Sequence, residues 1–77
     1  MKITYDSEVD ALYLEFQYLD EGKAETRQLA EEIIADYSPD GRLAGLEILD
    51  ANHVLQQTAG CVIFQIEPAL TTSSPNP

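Results

Sequence analysis

Hydrophobic and polar residues alternate with a period of two along the first part of the chain. Ile3 and Tyr5 alternate with polar neighbours, which indicates a short first strand. A longer alternation follows over residues 11–19, with Glu15 and Gln17 at the intervening polar positions. Its apolar members are Leu12, Leu14, Phe16 and Tyr18. Because successive side chains of a strand point to opposite faces of a sheet, this segment is predicted to be a strand with one apolar face.

A tight turn is predicted at Ser38-Pro39-Asp40-Gly41. Pro39 has the backbone angle required at the second position of a type I turn, and Gly41 can adopt the positive φ that follows it. Residues 33–37 and 43–49 on either side are rich in β-forming side chains. We therefore expect a hairpin here. Residues 26–32 are ambiguous, and we interpret them as an extended approach to the third strand, with a helical turn as the alternative.

The pattern changes after Leu49. Asp50 is expected to act as the N-cap of a short amphipathic helix, and Gly60 suits its end. Residues 61–66 are then apolar and β-rich, which leaves open an additional C-terminal strand ending before Pro68. Residues 68–77 contain three prolines and no charge, and we expect a disordered tail.

These elements predict an α+β fold for a single domain over residues 1–67. It consists of an antiparallel meander of about four strands with one short helix packed on one face through Val54 and Leu55. Leu, Ile, Val and Phe together number 20 of 77 residues, so the core is thin.

The second face of the predicted sheet mixes apolar and acidic side chains. Strand parity places Tyr13, Glu15 and Gln17 beside the second set Leu43, Gly45, Glu47 and Leu49. Exposed leucines and a tyrosine in one patch are typical of an interface. We therefore expect a homodimer, with Tyr13, Glu15, Leu43, Glu47 and Leu49 as candidate interaction residues. Glu47 stands in an otherwise apolar strand, and we expect it to pair with Arg27, Arg42 or a backbone donor, either within the chain or across a dimer interface.

The composition is strongly acidic. Fourteen Asp and Glu residues face four Lys and Arg residues, which gives a net charge of −10. Such a chain repels phosphate backbones and anionic lipids, so nucleic acid and membranes are not expected partners. A basic protein is the complementary alternative. The single cysteine, Cys61, excludes an intramolecular disulfide, and no apolar run resembles a signal peptide or a membrane span, so a cytoplasmic location is expected.

The candidate chemistry is sparse. Asp6, Glu8 and Asp10 begin like a calcium loop, but the loop positions that require Gly and Glu hold Ala11 and Gln17. His53 and Cys61 are too few for a zinc site, and their spacing does not enforce a catalytic dyad. No metal, cofactor or catalytic residue is therefore predicted. A small enzyme or ligand-binding module that uses Tyr13, Glu15 and Glu47 remains an alternative.

About the first 55 residues resemble a family of short prokaryotic proteins known only as a domain of unknown function. The resemblance rests on the pattern YDxExDALYL, followed by ADYxxDGxLxGLEILDA, in the same order and with similar spacing. It implies a small antiparallel sheet with a helix in a cytoplasmic protein, and it supplies no catalytic residues. Neighbouring toxin-like genes in this family make an antitoxin-like role, masking a basic toxin-like protein, a further alternative.

Overall fold

A five-stranded antiparallel sheet forms the body of the chain in the computed structural model, which describes residues 1–69. A single turn of α-helix follows the last strand. The elements are β1 (Lys2–Asp6), β2 (Ala11–Glu15), β3 (Glu25–Ala30), β4 (Ile33–Tyr37), β5 (Leu43–Ile48) and α1 (Ala51–Val54). The spatial order of the strands is β1-β2-β5-β4-β3.

The strand order is not the predicted meander. After β2 the chain crosses to the far edge of the sheet and forms β3, and it then returns through β4 and β5. As a result β5 lies in the centre and pairs with both β2 and β4. The prediction of a four-stranded α+β fold with a packed helix is therefore wrong, because the described fold is a five-stranded sheet and its helix contains only four residues.

The fifth strand comes from the segment that the sequence left ambiguous. Residues Glu25–Ala30 form β3, and Glu31 and Glu32 form the turn into β4. The helix propensity of this segment is outweighed by the ladder that it makes with β4. A helix here would leave the backbone N–H and C=O groups on the outer edge of β4 without hydrogen-bond partners. This would be unfavourable, because β4 includes the fully buried Ala35.

The predicted hairpin between β4 and β5 is confirmed. The Ser38 amide donates to the Arg42 carbonyl at 2.8 Å, and the Gly41 amide donates to the Ser38 carbonyl at 2.9 Å. Gly41 has a φ of 87°, as the turn requires. The Asp40 carboxylate accepts hydrogen bonds from the Ser38 hydroxyl and the Arg42 amide, and these lower the pKa of Asp40.

The helix is much shorter than the sequence predicts. It ends at Val54, and Gln56 takes a positive φ of 57° that stops it. Asp50 occupies the N-cap position, as predicted, but its side chain makes no hydrogen bond to the helix, so the predicted capping hydrogen bond is wrong. Instead, the Asp10 carboxylate accepts a hydrogen bond from the Asn52 backbone amide, whose nitrogen lies 3.1 Å from each carboxylate oxygen. Isolated helices this short are marginal in water, and this one depends on that anchor.

The additional C-terminal strand is not formed. Residues 61–66 have no ladder partner in the described range. The predicted tail, residues 68–77, falls almost wholly outside the described residues. Within the described part, no helix is long and apolar enough to cross a membrane.

The strand register sorts the side chains into two faces. We call the side with two apolar rows the apolar face and the opposite side the polar face. On the apolar face, one row over β1, β2, β5 and β4 is Ile3, Leu14, Leu46 and Ala35, and the other is Tyr5, Leu12, Ile48 and Ile33. On β3 these rows continue with Arg27 and Ala30. On the polar face, one row is Thr4, Tyr13, Glu47 and Ile34, and the other is Lys2, Glu15, Gly45, Asp36 and Thr26.

Few apolar side chains are buried, and most of these belong to alanine. Among the described residues, the buried apolar side chains are Leu12, Ala35, Ala44 and Ala51. Leu14, Leu46, Ile33 and Ile48 on the apolar face are only half-buried, and Ile3 is 38% exposed. The described chain therefore leaves much of its apolar face in contact with water.

Candidate functional site

The polar face brings together three of the five residues that the sequence nominated. Tyr13 is directly opposite Glu47 on the neighbouring strand, and Glu15 is directly opposite Gly45. Directly paired residues share one face of a sheet, so the tyrosine and both glutamates lie on the same side. The other two, Leu43 and Leu49, lie at opposite ends of β5, one at its start and one beyond its end.

Tyr13 crosses the central strand to reach β4. Its hydroxyl donates to Asp36 Oδ2 at 2.8 Å, although the two residues lie on strands separated by β5. Gly45 permits this crossing because it has no side chain. A Cβ atom at this glycine would overlap the tyrosine hydroxyl and lie 2.7 Å from its ring carbon Cζ. Tyr13 therefore covers Gly45, which is buried.

Asp36 joins Tyr13 to the edge of the sheet. Its second carboxylate oxygen, Oδ1, accepts a hydrogen bond from the Thr26 hydroxyl at 2.8 Å. Side chains from β2, β4 and β3 are thus connected across four adjacent strands. The sequence pattern did not identify Asp36 as the acceptor for Tyr13.

The tyrosine is held in its protonated form. Burial raises the pKa of Tyr13 to about 12, and the hydrogen bond to Asp36 and the nearby charges of Asp36, Glu15 and Glu47 act in the same direction. A phenol with this pKa stays protonated near neutral pH and serves as a hydrogen-bond donor. It does not supply a phenolate nucleophile or base at that pH.

A cavity of about 220 Å³ opens next to this cluster. The loop between β2 and β3 forms one wall with Tyr18 and Asp20, and the polar face forms the other with Tyr13, Glu15 and Asp36. The cavity is therefore lined by carboxylates and phenol groups, which suits a cationic group better than an anionic one.

Glu47 does not pair with an arginine of its own chain. Arg27 lies 3.0 Å from Glu25, and Arg42 lies 3.5 Å from Asp40. Neither Arg27 nor Arg42 therefore forms an ion pair with Glu47 of the same chain, and the prediction of such a pair within one chain is wrong. These two ion pairs are the ones found in the described part, and neither includes an acid of the polar face.

A second polar cluster lies where β1 ends and α1 begins. The Tyr5 hydroxyl donates to Asp10 Oδ1 at 2.7 Å and lies 2.9 Å from Asn52 Oδ1. The hydrogen bond to Asp10 is the main cause that raises the pKa of Tyr5 to about 12. Asn52 also donates to the carbonyl oxygens of Thr58 and Cys61, at 2.8 Å each.

From the sequence, Asp10 was considered only as part of an incomplete calcium-loop pattern, and this cluster was missed. Asp10 has a positive φ of 54°, which an Asp-rich turn tolerates. Its contacts with Asn52 span 42 residues, and no local pattern reveals them. The cluster ties the first turn of the chain to the helix and to residues 58–61. Its role is therefore structural.

Metal ligands and thiol chemistry find little support in the geometry. Within residues 1–69, no group of three or more His, Cys, Asp or Glu side chains is arranged to hold a metal ion. Cys61 and His53 are both exposed, and Cys61 contributes its backbone carbonyl to Asn52.

Comparison with known proteins gave one match. A family model described as a protein of unknown function (DUF2283) matches residues 2–52. Neither the curated proteins nor the solved structures compared with the chain gave a match. The matched segment contains all five strands and both polar clusters described above. The chain therefore belongs to the DUF2283 family of proteins of unknown function.

Proposed function

We propose that this protein is a cytoplasmic protein-interaction domain that self-associates through its apolar face. The observation that carries the proposal is the exposure of that face. Its two apolar rows cross four strands, yet only Leu12 and Ala35 within them are buried. A sheet with one apolar face is stable when a second layer covers it, and residues 55–69 supply no helix or strand for this purpose.

The size of the apolar face suits a protein partner. Five strands spaced by about 4.8 Å form a sheet roughly 24 Å wide. The described chain is flat, with extents of 46 × 36 × 21 Å, so a face is a large share of its surface. A standard interface covers about 800 Å² on each partner, and the accessible surface of the chain is 5826 Å².

Charge favours a second copy as the occupant of this face. Over β1, β2, β5 and β4 the two apolar rows contain no Asp, Glu, Lys or Arg, and on β3 Arg27 and Glu25 form an ion pair with each other. The polar face carries Glu15, Asp36 and Glu47. Two copies that meet through their apolar faces keep these acids on the outside. Repulsion between two chains of net charge −10 is then weakest, and packing of two sheets face to face is a common architecture.

Sedimentation of matched variants tests the proposal. The wild-type chain is expected to be a dimer at concentrations of tens of micromolar. Ile3→Lys places a charge on the apolar face at its exposed margin and is expected to shift the protein toward the monomer. Thr4→Lys makes the same charge change one residue away on the polar face, and it should leave the dimer intact.

Thermal unfolding of both variants is the control, and it checks that each variant remains folded. A monomeric wild-type protein at these concentrations would refute the proposal. Equal dissociation by Ile3→Lys and Thr4→Lys would show that charge, rather than the apolar face, controls association.

A basic protein is a second candidate partner, at the polar face. The observation in its favour is that Glu15, Asp36 and Glu47 share this face and take part in neither ion pair of the described chain. Unpaired carboxylates in one area attract a cationic surface and accelerate association. An antitoxin-like role, in which the domain masks a basic toxin-like protein, is one form of this function.

Salt dependence separates the two kinds of association. Added salt is expected to weaken capture of a basic partner and to strengthen the association of two acidic copies. Glu15→Gln combined with Glu47→Gln should reduce capture of a basic protein more than Glu8→Gln combined with Glu31→Gln, which removes the same charge from turns. Equal losses in the two variants would argue against a site on the polar face.

A further inference from the structure

Residues 61–67, which we call the arm, have the chemistry of a strand without the partner that a strand requires. The arm is CVIFQIE, with β-branched and aromatic residues and one charge at its end. Its backbone joins no ladder. Ile63 is 70% exposed, Phe64 46% and Ile66 86%. Three large apolar side chains in one short exposed segment are typical of an interaction site.

The start of the arm is fixed to the helical corner of the molecule. The Asn52 side chain donates to the Cys61 carbonyl at 2.8 Å, and the Ile63 amide donates to Gln57 Oε1 at 3.2 Å. Asn52 also lies beside Tyr5, at the end of β1. The hydrogen bonds therefore present the arm from a defined position and leave its outer residues free to bind.

The two edge strands of the sheet differ in how open they are to a new strand. β3 carries the Glu25–Arg27 ion pair and a register shift between Gln28 and Ala30, and such features block strand addition. β1 pairs with β2 in an unbroken register over Lys2–Asp6. β1 is therefore the edge that can accept another strand.

We propose that the arm of one copy pairs antiparallel with β1 of a second copy as a sixth strand. In one register both faces match. Ile66 is then opposite Ile3 and Phe64 is opposite Tyr5, which extends the two apolar rows. Glu67 is opposite Lys2 and Gln65 is opposite Thr4 on the polar face. The single charge of the arm thus meets a base, and Phe64 and Ile66 join the apolar face, while Ile63 is opposite Asp6 on the polar face.

Exchange of arms between two copies closes symmetrically, since each copy donates one arm and offers one β1. In the structure the arm makes no ladder with the β1 of its own chain, and Gln57 holds its start toward the helix. This inference rests on the proposed self-association and names a segment that contributes to it.

Engineered cysteines test the pairing and its register. In a Cys61→Ser background, Thr4→Cys is placed in one protein and Gln65→Cys in another, and the two are mixed and mildly oxidised. We expect a cross-linked product of dimer mass that contains one chain of each kind. Ile63→Cys mixed with Thr4→Cys is the control, because residue 63 lies two positions out of register and should cross-link several-fold less.

The outcomes separate the two proposals. A dimeric wild-type protein that gives no cross-link above the control overturns the arm exchange and leaves self-association standing. A wild-type protein that sediments as a monomer overturns self-association. A protein carrying both Thr4→Cys and Gln65→Cys that cross-links only within one chain shows that the arm closes on its own β1, and this also overturns the exchange.

Discussion

At the scale of single residues, Gly45 determines how the polar face is assembled. Tyr13 can reach Asp36 only because the strand between them has a glycine at the crossing point. The sequence showed a glycine within a strand, which indicates close approach of a neighbour. It did not show that the neighbour is a tyrosine from the adjacent strand, because the register that brings them together depends on five strands.

Gly45→Ala is expected to destabilise the protein by about 1–3 kcal/mol. The added methyl group would overlap the Tyr13 ring and would also lie 3.1 Å from the Leu14 carbonyl oxygen. Tyr13 must then move away, and its hydrogen bond to Asp36 is lost. Denaturant unfolding of Gly45→Ala measures the loss.

The same substitution in a Tyr13→Ala background provides the control. With the ring removed, the new methyl meets only the backbone carbonyl, and most of the cost of Gly45→Ala should disappear. Additive effects of the two substitutions would show that Tyr13 and Gly45 do not interact as described.

At the scale of secondary-structure elements, periodicity and turn chemistry predicted the segments that carry their own signals. The alternation at β2 and the Ser38–Gly41 turn are local signals. The turn is formed as predicted, and β2 is formed but ends at Glu15 rather than at Leu19. The strand β3 was predicted only as an extended approach to the next strand, because Thr26 and Arg27 are held by their pairing with β4, a contact that propensity does not contain.

The helix was overestimated for a related reason. Apolar spacing after Asp50 fits a helical face, but the backbone reverses at Gln56, and the Asn52 side chain holds the carbonyls of Thr58 and Cys61. The cap was assigned to the nearest acid in sequence. The acid that performs this role, Asp10, lies 42 residues from its partner.

The role of Asp10 can be separated from its backbone conformation. Asp10 and Asp50 have nearly equal positive φ angles of 54° and 52°, so alanine at either position meets similar backbone strain. Asp10→Ala also removes the acceptor for the Asn52 amide and the Tyr5 hydroxyl. We expect it to cost about 1–2 kcal/mol more than Asp50→Ala.

Denaturant unfolding of the two variants measures this difference. Equal losses of stability would mean that the carboxylate of Asp10 contributes nothing beyond the turn. Hydrogen exchange at the Asn52 amide provides a local measurement, and it should accelerate in Asp10→Ala but not in Asp50→Ala.

At the scale of the whole molecule, the two faces of one sheet differ in their chemistry. The polar face completes many of its own hydrogen bonds through Tyr13, Asp36 and Thr26, whereas the apolar rows remain half-buried. In an association through the apolar face, the acidic side chains of the polar face lie on the outside, where solvent and salt weaken their repulsion.

Both tyrosine clusters make the stability of the molecule sensitive to alkaline pH. The pKa values of Tyr5 and Tyr13 are raised to about 12, so the folded protein holds these protons more tightly than the unfolded chain, where tyrosine has its ordinary pKa of 10.0. A raised pKa stabilises the fold fully below pH 10, and this contribution is lost as the pH rises from 10 through about 12. We therefore expect the melting temperature to fall over that interval.

Tyrosine-to-phenylalanine variants identify the source of that fall. Tyr13→Phe and Tyr5→Phe each lose one hydrogen bond and should be less stable than the wild type near neutral pH, but their stability should decline less steeply above about pH 10. Tyr18→Phe removes a hydroxyl from a residue that is 76% exposed and should follow the wild-type curve. Parallel declines in all four proteins would mean that the hydrogen bonds to Asp10 and Asp36 do not raise the pKa values of the two tyrosines. A smaller slope in only one variant would assign the alkaline sensitivity to that cluster alone.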